Sequence, residues 1–196
     1  MKKVIVIRLE NVLVKKFNVE KSFQMLVERM KKKEKDVDDL IRKYKDDMGL
    51  DWEKGVKKEL KERYEKDFER KEIYGEGKKV LNDLLGLKKK NECLNDMRIV
   101  VVSEMGGRRV KGLLMNNELD EESLEVRRVK EGEIGDCLKE MGIVNANYEK
   151  VLVLSNSNKD IEDCLRLGVK YTMCGWGKVE GMESKDIYEV IGLRKV

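Results

Sequence analysis

The sequence predicts an α/β fold: a parallel sheet covered by helices on both faces, with an all-helical segment inserted after the first strand. Three observations predict it. Short apolar runs rich in β-branched residues recur along the chain, at Val4-Ile5-Val6-Ile7, Ile99-Val100-Val101-Val102 and Val151-Leu152-Val153-Leu154. Helical patterns lie between most of them, and such alternation marks parallel strands joined by helices. The stretch from 15 to 74 carries no strand signal and spaces its apolar residues by three and four.

The first run, Val4 to Ile7, reads as a buried strand. Arg8 and Glu10 break it too early for a secretory leader, and no small-residue cleavage site follows. In the insertion, Val19, Phe23, Leu26 and Met30 form one apolar stripe. Val37, Leu40, Ile41, Tyr44 and Met48 form a second, and Trp52, Val56, Leu60, Tyr64 and Phe68 a third. Gly49 marks a break between the second and third, with Asp51 expected as N-cap. The aromatic steps are expected to face a core, which is far commoner for such a stripe than a surface for stacking bases. Ile99 to Val102 is the second strand and Leu124 to Val129 a weaker third. Val151 to Leu154 is the fourth and Val169 to Cys174 the fifth. Ile187 to Ile191 reads as a short last strand or a helix. The 196 residues therefore divide into a Rossmann-like core, 1–14 with 75–196, and a helical insertion, 15–74.

Composition limits the function classes. Charged residues make up 42% and hydrophobic residues 40%, which predicts a folded chain with a heavily charged surface. The net charge of +4 is mild and does not announce a nucleic-acid binder. No run approaches the ~20 apolar residues that a membrane span needs. Cys93, Cys137, Cys164 and Cys174 form no Cys-x-x-Cys pair, so reduced, buried thiols in an intracellular compartment are expected. Histidine is absent, which removes every mechanism built on a His base. Proline is absent too, and Ala146, Thr172 and Gln24 are each the single residue of their type. Codons for Ala, Pro, Thr, His and Gln all need cytosine in the first or second position. A cytosine-poor coding strand accounts for the bias, and single departures from a motif can then reflect drift.

In sheets of this kind ligands bind outside the carboxyl ends of the strands. Those ends present Arg8 and Glu10, then Ser103, then Lys130, then Ser155 to Asp160. In this order the chain resembles the haloacid dehalogenase superfamily over nearly its whole length. Ile5-Val6-Ile7-Arg8-Leu9-Glu10-Asn11-Val12-Leu13 is similar to the first motif, a strand ending in Asp-x-Asp and a small turn. The helical insertion lies where that family places a helical cap. Val100-Val101-Val102-Ser103 is similar to the second motif, and Val129-Lys130-Glu131-Gly132-Glu133-Ile134 to the third, where a Lys opens a helix. Ser155-Asn156-Ser157-Asn158-Lys159-Asp160 resembles the fourth, usually Gly-Asp-x-x-x-Asp. Leu167-Gly168-Val169 and Gly175-Trp176-Gly177 resemble the closing pattern.

The resemblance implies a chemistry. In that family the first Asp is the nucleophile and forms an aspartyl ester. The second Asp is the acid and base. Ser or Thr and Lys hold the phosphoryl oxygens. The acidic residues of the fourth motif help bind Mg²⁺. This chain departs from the pattern at three of these positions. Arg8 stands at the nucleophile, and a guanidinium cannot form the ester. Glu10 keeps the acid/base function with one more methylene. Asn156 replaces one acidic metal ligand, while Asp160, Ser103 and Lys130 remain. Weak Mg²⁺ affinity is expected, with Arg8 in the metal's place, paired to Glu10 or Asp160. Three readings of the site stay open: a compensated charge with no ligand, a phosphate-binding pocket of Arg8, Ser103 and Lys130, and, least favoured because it sits two residues past the nucleophile position, Glu10 as the nucleophile in a shifted register.

The expected function is then a non-catalytic protein of this fold, a binding or structural component that needs no cofactor. Its charged cap and the Gly106-Gly107-Arg108-Arg109 loop offer a surface to a protein or an RNA-rich assembly. With 19 basic and 16 acidic residues from 15 to 74, that cap is only mildly positive. The alternative is an active hydrolase, a Mg²⁺-dependent phosphatase on a small phosphomonoester. A receiver domain does not suit the long insertion, and a dinucleotide-binding turn would need glycines that Leu9-Glu10-Asn11-Val12 lacks.

Overall fold

A computed structural model describes residues 3–90 and 92–174; the expected element at 187–191 and the 175–177 part of the closing pattern lie outside the described residues. The described chain divides into two compact units, one of residues 16–69 and one comprising the rest.

The larger unit is built on a parallel sheet. Its strands are β1 (Val4–Arg8), β2 (Arg98–Ser103), β3 (Glu125–Arg128), β4 (Val151–Ser155) and β5 (Lys170–Met173), in the order β3-β2-β1-β4-β5. All five of these sequence-predicted strands lie within a residue of these bounds at each end, and β3, the run with the weakest pattern, is a partly buried strand at one edge of the sheet. Strand order was not legible in the sequence. The helices are α4 (Gly75–Lys90), α5 (Gly107–Asn116), α6 (Ile134–Glu140) and α7 (Asn158–Leu167).

Side-chain alternation explains why the central strands are apolar throughout. Val4, Val6, Val100, Val102, Val151 and Val153 share one face, where they pack with Ile134, Cys137 and Leu138 of α6 and Cys164 of α7. Ile5, Ile7, Ile99, Val101, Leu152 and Leu154 have the opposite parity and are also buried. The connections β1 to β2 to β3 run one way across the sheet, and β3 to β4 to β5 the other. Right-handed crossovers therefore place α4 and α5 on one face and α6 and α7 on the other. The direction reverses between β1 and β4, which makes their carboxyl ends the switch point of the sheet.

One expectation is corrected here. Gly106 to Arg109 is not a loop: Gly106 is the N-cap and Gly107 to Arg109 form the first turn of α5. Without proline or a strong breaker, the run continues directly into the apolar stripe of Val110, Leu113 and Leu114, whose burial carries the helix through it.

The smaller unit comprises α1 (Val19–Lys31), α2 (Lys35–Met48) and α3 (Trp52–Asp67). Asn18 caps α1, its side chain accepting from the Lys21 amide at 2.9 Å. Gly49 ends α2 with φ of 53°, as the break at that position requires. Asp51 does sit at the N-cap of α3, but its side chain does not cap. It pairs with Lys54 at 2.7 Å instead, because a short helical turn from 49 to 51 leads straight into α3. Gly55 lets α3 approach α2: a Cβ there would collide with the Met48 sulfur and the Tyr44 ring. The aromatic residues pair with one another. Phe17 stacks on Tyr64 with centroids 4.3 Å apart, Phe23 meets Trp52 at 5.7 Å, and Tyr64 meets Phe68 edge-on at 5.9 Å. Those contacts are packing geometry, worth about 0.5–1.5 kcal/mol per pair beyond area. Met48 departs from its expected stripe and is exposed, as is Leu50 beside it. The chain turns at Gly49, so both residues sit at the end of the helical hairpin, where the Met48 sulfur still lies against Gly55.

Candidate functional site

β1 is buried along its whole length, and it delivers Arg8 to the switch point at 0% exposure. A guanidinium in that position must have its charge answered within the protein. It is, and four hydrogen bonds engage all three of its nitrogens. Nε and Nη2 donate to the two carboxylate oxygens of Asp160, each at 2.8 Å. Nη1 donates to the Val129 carbonyl at 2.7 Å and Nη2 to the Lys130 carbonyl at 3.1 Å. The ion pair is the bidentate, planar arrangement that arginine forms and lysine cannot.

Asp160 lies in the first turn of α7 and is also at 0% exposure. Besides the two arginine donors, Oδ2 accepts from the Ser155 hydroxyl at 2.8 Å and Oδ1 from the Gly132 amide at 2.9 Å. A carboxylate has about four lone-pair positions, and all four are engaged. Gly132 reaches it because the loop after β3 turns there with φ of 85°. Three residues on, Asp163 repeats the device on α6, accepting from the Gly135 amide at 2.8 Å.

Glu10 forms a second centre. It follows β1 in a tight turn in which Asn11 has φ of 61° and the Leu13 and Val14 amides both return to the Leu9 carbonyl. Its Oε1 accepts from the Ser103 hydroxyl at 2.6 Å and the Glu104 amide at 3.0 Å. Its Oε2 is buried and has no hydrogen-bond partner. Burial pushes the carboxyl above its ordinary value of 4.5, against the Ser103 hydrogen bond and the charge of Arg8. The folded protein therefore holds this proton more tightly than the unfolded chain. Glu10's contribution to stability is fully present below 4.5 and is lost as pH rises through the raised folded value. Glu10→Gln is expected to remove that part of the pH dependence and to gain on wild type as pH rises toward neutral. Urea midpoints from about pH 4 to 8 would check it, and parallel curves would contradict it.

The two serines play matching parts. Ser103 ends β2 and Ser155 ends β4; each donates its hydroxyl to a buried carboxylate and accepts the amide two residues on, at 3.0 Å. Sequence reading gave Ser103 a role but placed Ser155 at its strand end without one, and it did not see the Gly132 amide or the Val129 and Lys130 carbonyls. A serine five residues before Asp160 was the only available signal, and backbone groups leave none.

The expected anion-holding residues do not converge. Arg8 is committed to Asp160, not to Glu10, and Ser103 donates to Glu10. The Lys130 side chain is 79% exposed, with Nζ 4.0 Å from Glu133. Lys130 also does not open a helix: two residues and the Gly132 turn separate it from α6, so its side chain leaves for solvent. Asn156 is turned to the backbone, its Nδ2 donating to the Asn11 carbonyl at 3.0 Å and to that of Cys174.

A Mg²⁺ ion does not fit this donor set. It needs about six oxygen ligands in octahedral geometry. Asp160 has no lone pair to offer, Asn156 has only a neutral amide oxygen, its Nδ2 being given to backbone carbonyls, and the Arg8 cation lies against the carboxylate. Among the described residues, no three Asp, Glu, Cys or His side chains are arranged to hold a metal.

No family model and no curated protein matches the sequence. Solved structures do match the fold. A Clostridium difficile protein assigned as a phosphatase superposes with TM-score 0.57 at 14% identity, over 87% of this chain and 83% of its own. A Bacteroides fragilis protein assigned as a haloacid dehalogenase-like hydrolase gives 0.55 at 15%, over 88% and 87%. A Thermotoga maritima protein assigned as a β-phosphoglucomutase gives 0.52 at 16%, over 98% and 92%. The chain thus has the haloacid dehalogenase-like fold, an α/β Rossmann-like parallel sheet flanked by helices. At these identities the likeness extends to the fold alone.

Proposed function

We propose that this chain is a haloacid dehalogenase-like protein that has lost the aspartyl nucleophile and works as a non-catalytic binding or structural component. The observation that carries this reading is the Arg8–Asp160 pair. The side chain at the nucleophile position is a cation that cannot attack, and it is held by four hydrogen bonds. The helical unit serves as the cap, and its charged surface is the face offered to a protein or an RNA-rich assembly. An affinity for RNA carried by that surface would fall steeply with salt, since phosphate contacts release counterions.

The described cysteines support an intracellular, reducing setting. Cys137, Cys164 and Cys174 are free and buried, and burial pushes the thiols of Cys164 and Cys174 up to about 12, where they are inert. No helix among the described residues is long and apolar enough to cross a membrane.

A hydrolase reading draws on one feature, Glu10. A buried carboxyl with a raised proton affinity at the acid/base position suits a general acid. Hydrolysis of a panel of phosphomonoesters by the purified protein, with Mg²⁺ and with a chelator, separates the two. No turnover is the expected result under either condition. Metal-dependent turnover abolished by Glu10→Gln would establish the hydrolase and overturn the non-catalytic reading.

A further inference from the structure

We propose that the Arg8 guanidinium is the chain's own permanent cation at the switch point of the sheet, so that divalent metal neither binds there nor supports the fold. The argument is one of occupancy. Asp160 is the carboxylate to which Arg8 is bonded at this point, and its four acceptor positions are filled by Arg8, Ser155 and Gly132. Among the described buried side-chain oxygens the one left without a partner is Glu10 Oε2, and one oxygen does not make a hard-cation site. A divalent ion brought to Asp160 would also face the repulsion of a buried guanidinium whose Nη1 and Nη2 are held by the Val129 and Lys130 carbonyls.

The arrangement does more than neutralise a charge. Through Arg8 and Asp160 the end of β1 is joined to the loop after β3, to the end of β4 and to the first turn of α7. Those are segments that lie far apart in sequence, 121 to 152 residues from Arg8. A bound metal holds such ends together by coordination. Here planar hydrogen bonds from one side chain do so, independent of the metal concentration around the protein.

The inference rests on the same pair as the loss of catalysis, yet the two fail separately. The test is a titration of the full chain with Mn²⁺, following the spin-resonance signal of the free ion, beside thermal unfolding with Mg²⁺ or EDTA. Wild type is expected to leave the Mn²⁺ signal undiminished and to unfold at the same temperature in both media. Arg8→Asp combined with Asn156→Asp removes the cation and adds two oxygen ligands. It is expected to bind Mn²⁺ at least about tenfold more tightly than wild type and to unfold at a higher temperature with Mg²⁺ than with EDTA. Saturable loss of signal in wild type, removed by Asp160→Asn, would overturn the proposal. So would a folded double variant that gains no affinity. If the double variant does not fold, the wild-type titration decides alone. Turnover by wild type without metal would overturn the non-catalytic reading and leave this one intact. Metal binding without turnover would do the reverse.

Discussion

Arg8→Met is expected to destabilise the protein by about 3–5 kcal/mol, the cost of leaving one member of a buried ion pair without its partner. Methionine fills much of the volume, so the loss is electrostatic rather than a cavity. Asp160 would be left at 0% exposure with only Ser155 and Gly132 to answer it, and the Val129 and Lys130 carbonyls would lose their donor. Arg8→Lys is expected to recover only part, because a point charge cannot serve both oxygens of Asp160 and two carbonyls in one plane. Pairing Arg8→Met with Asp160→Leu is expected to fall between wild type and the single variant. Replacing a whole buried pair by apolar groups is often neutral or better. Here it strands the Ser155 hydroxyl, the Gly132 amide and two carbonyls, at about 1–3 kcal/mol for each that stays unsatisfied. Urea midpoints at constant slope would measure all three variants. A single variant within about 1 kcal/mol of wild type would mean that the pair does not hold the strand ends as described.

Leu138→Ala is expected to cost about 2–5 kcal/mol, lowering the melting temperature by several degrees or more for a chain of this size. Leu138 is on α6, fully buried, and packs in the cluster formed by Val4, Val6, Val100, Val102, Val151 and Val153 with Cys137, Ile143 and Cys164. The loss combines the transfer of the missing carbons with the void they leave. That void has little chance to close. α6 is tied at its start by the Gly135 amide to Asp163, and a Cβ on Gly135 would already press within 2.7 Å of the Leu167 side chain. A loss under about 1 kcal/mol would show that α6 can settle onto the sheet, and that this layer is looser than its contacts indicate.

Much of the fold was legible because it depends on local pattern. β-branched apolar runs of four residues bounded by charge are buried strands, and apolar spacing by three and four makes amphipathic helices. Gly49 broke the helical hairpin where only a positive φ would serve. The weakness of the third run was legible as well, from its charges; that β3 lies at one end of the sheet was not. The candidate site residues Arg8, Glu10, Ser103 and Asp160 were found because each stands at or just past the end of an element, and the ends of parallel strands gather on one edge.

What the sequence by itself determined is therefore the five described strands to within a residue at each end, the helical character of the stretch between the first two, and an arginine at the end of β1. Only the tertiary structure decided whom that arginine meets. Arg8 had two carboxylates in prospect, Glu10 two residues away and Asp160 distant in sequence, and it took the distant one. Side chains two residues apart on an extended strand project to the same side without their ends meeting, and Glu10 lies past the strand in a turn toward Ser103. Asp160 is brought close because β4 is paired to β1, with Ile7 opposite Leu154, so that the start of α7 falls beside the end of β1. The same register placed Ser155 and Gly132 around the carboxylate and left the Lys130 side chain in solvent. Local sequence sets dihedral angles and periodicity. Which strand ends lie side by side is set by sheet order, a property of the whole packed chain, and the chemistry of this site follows from that order.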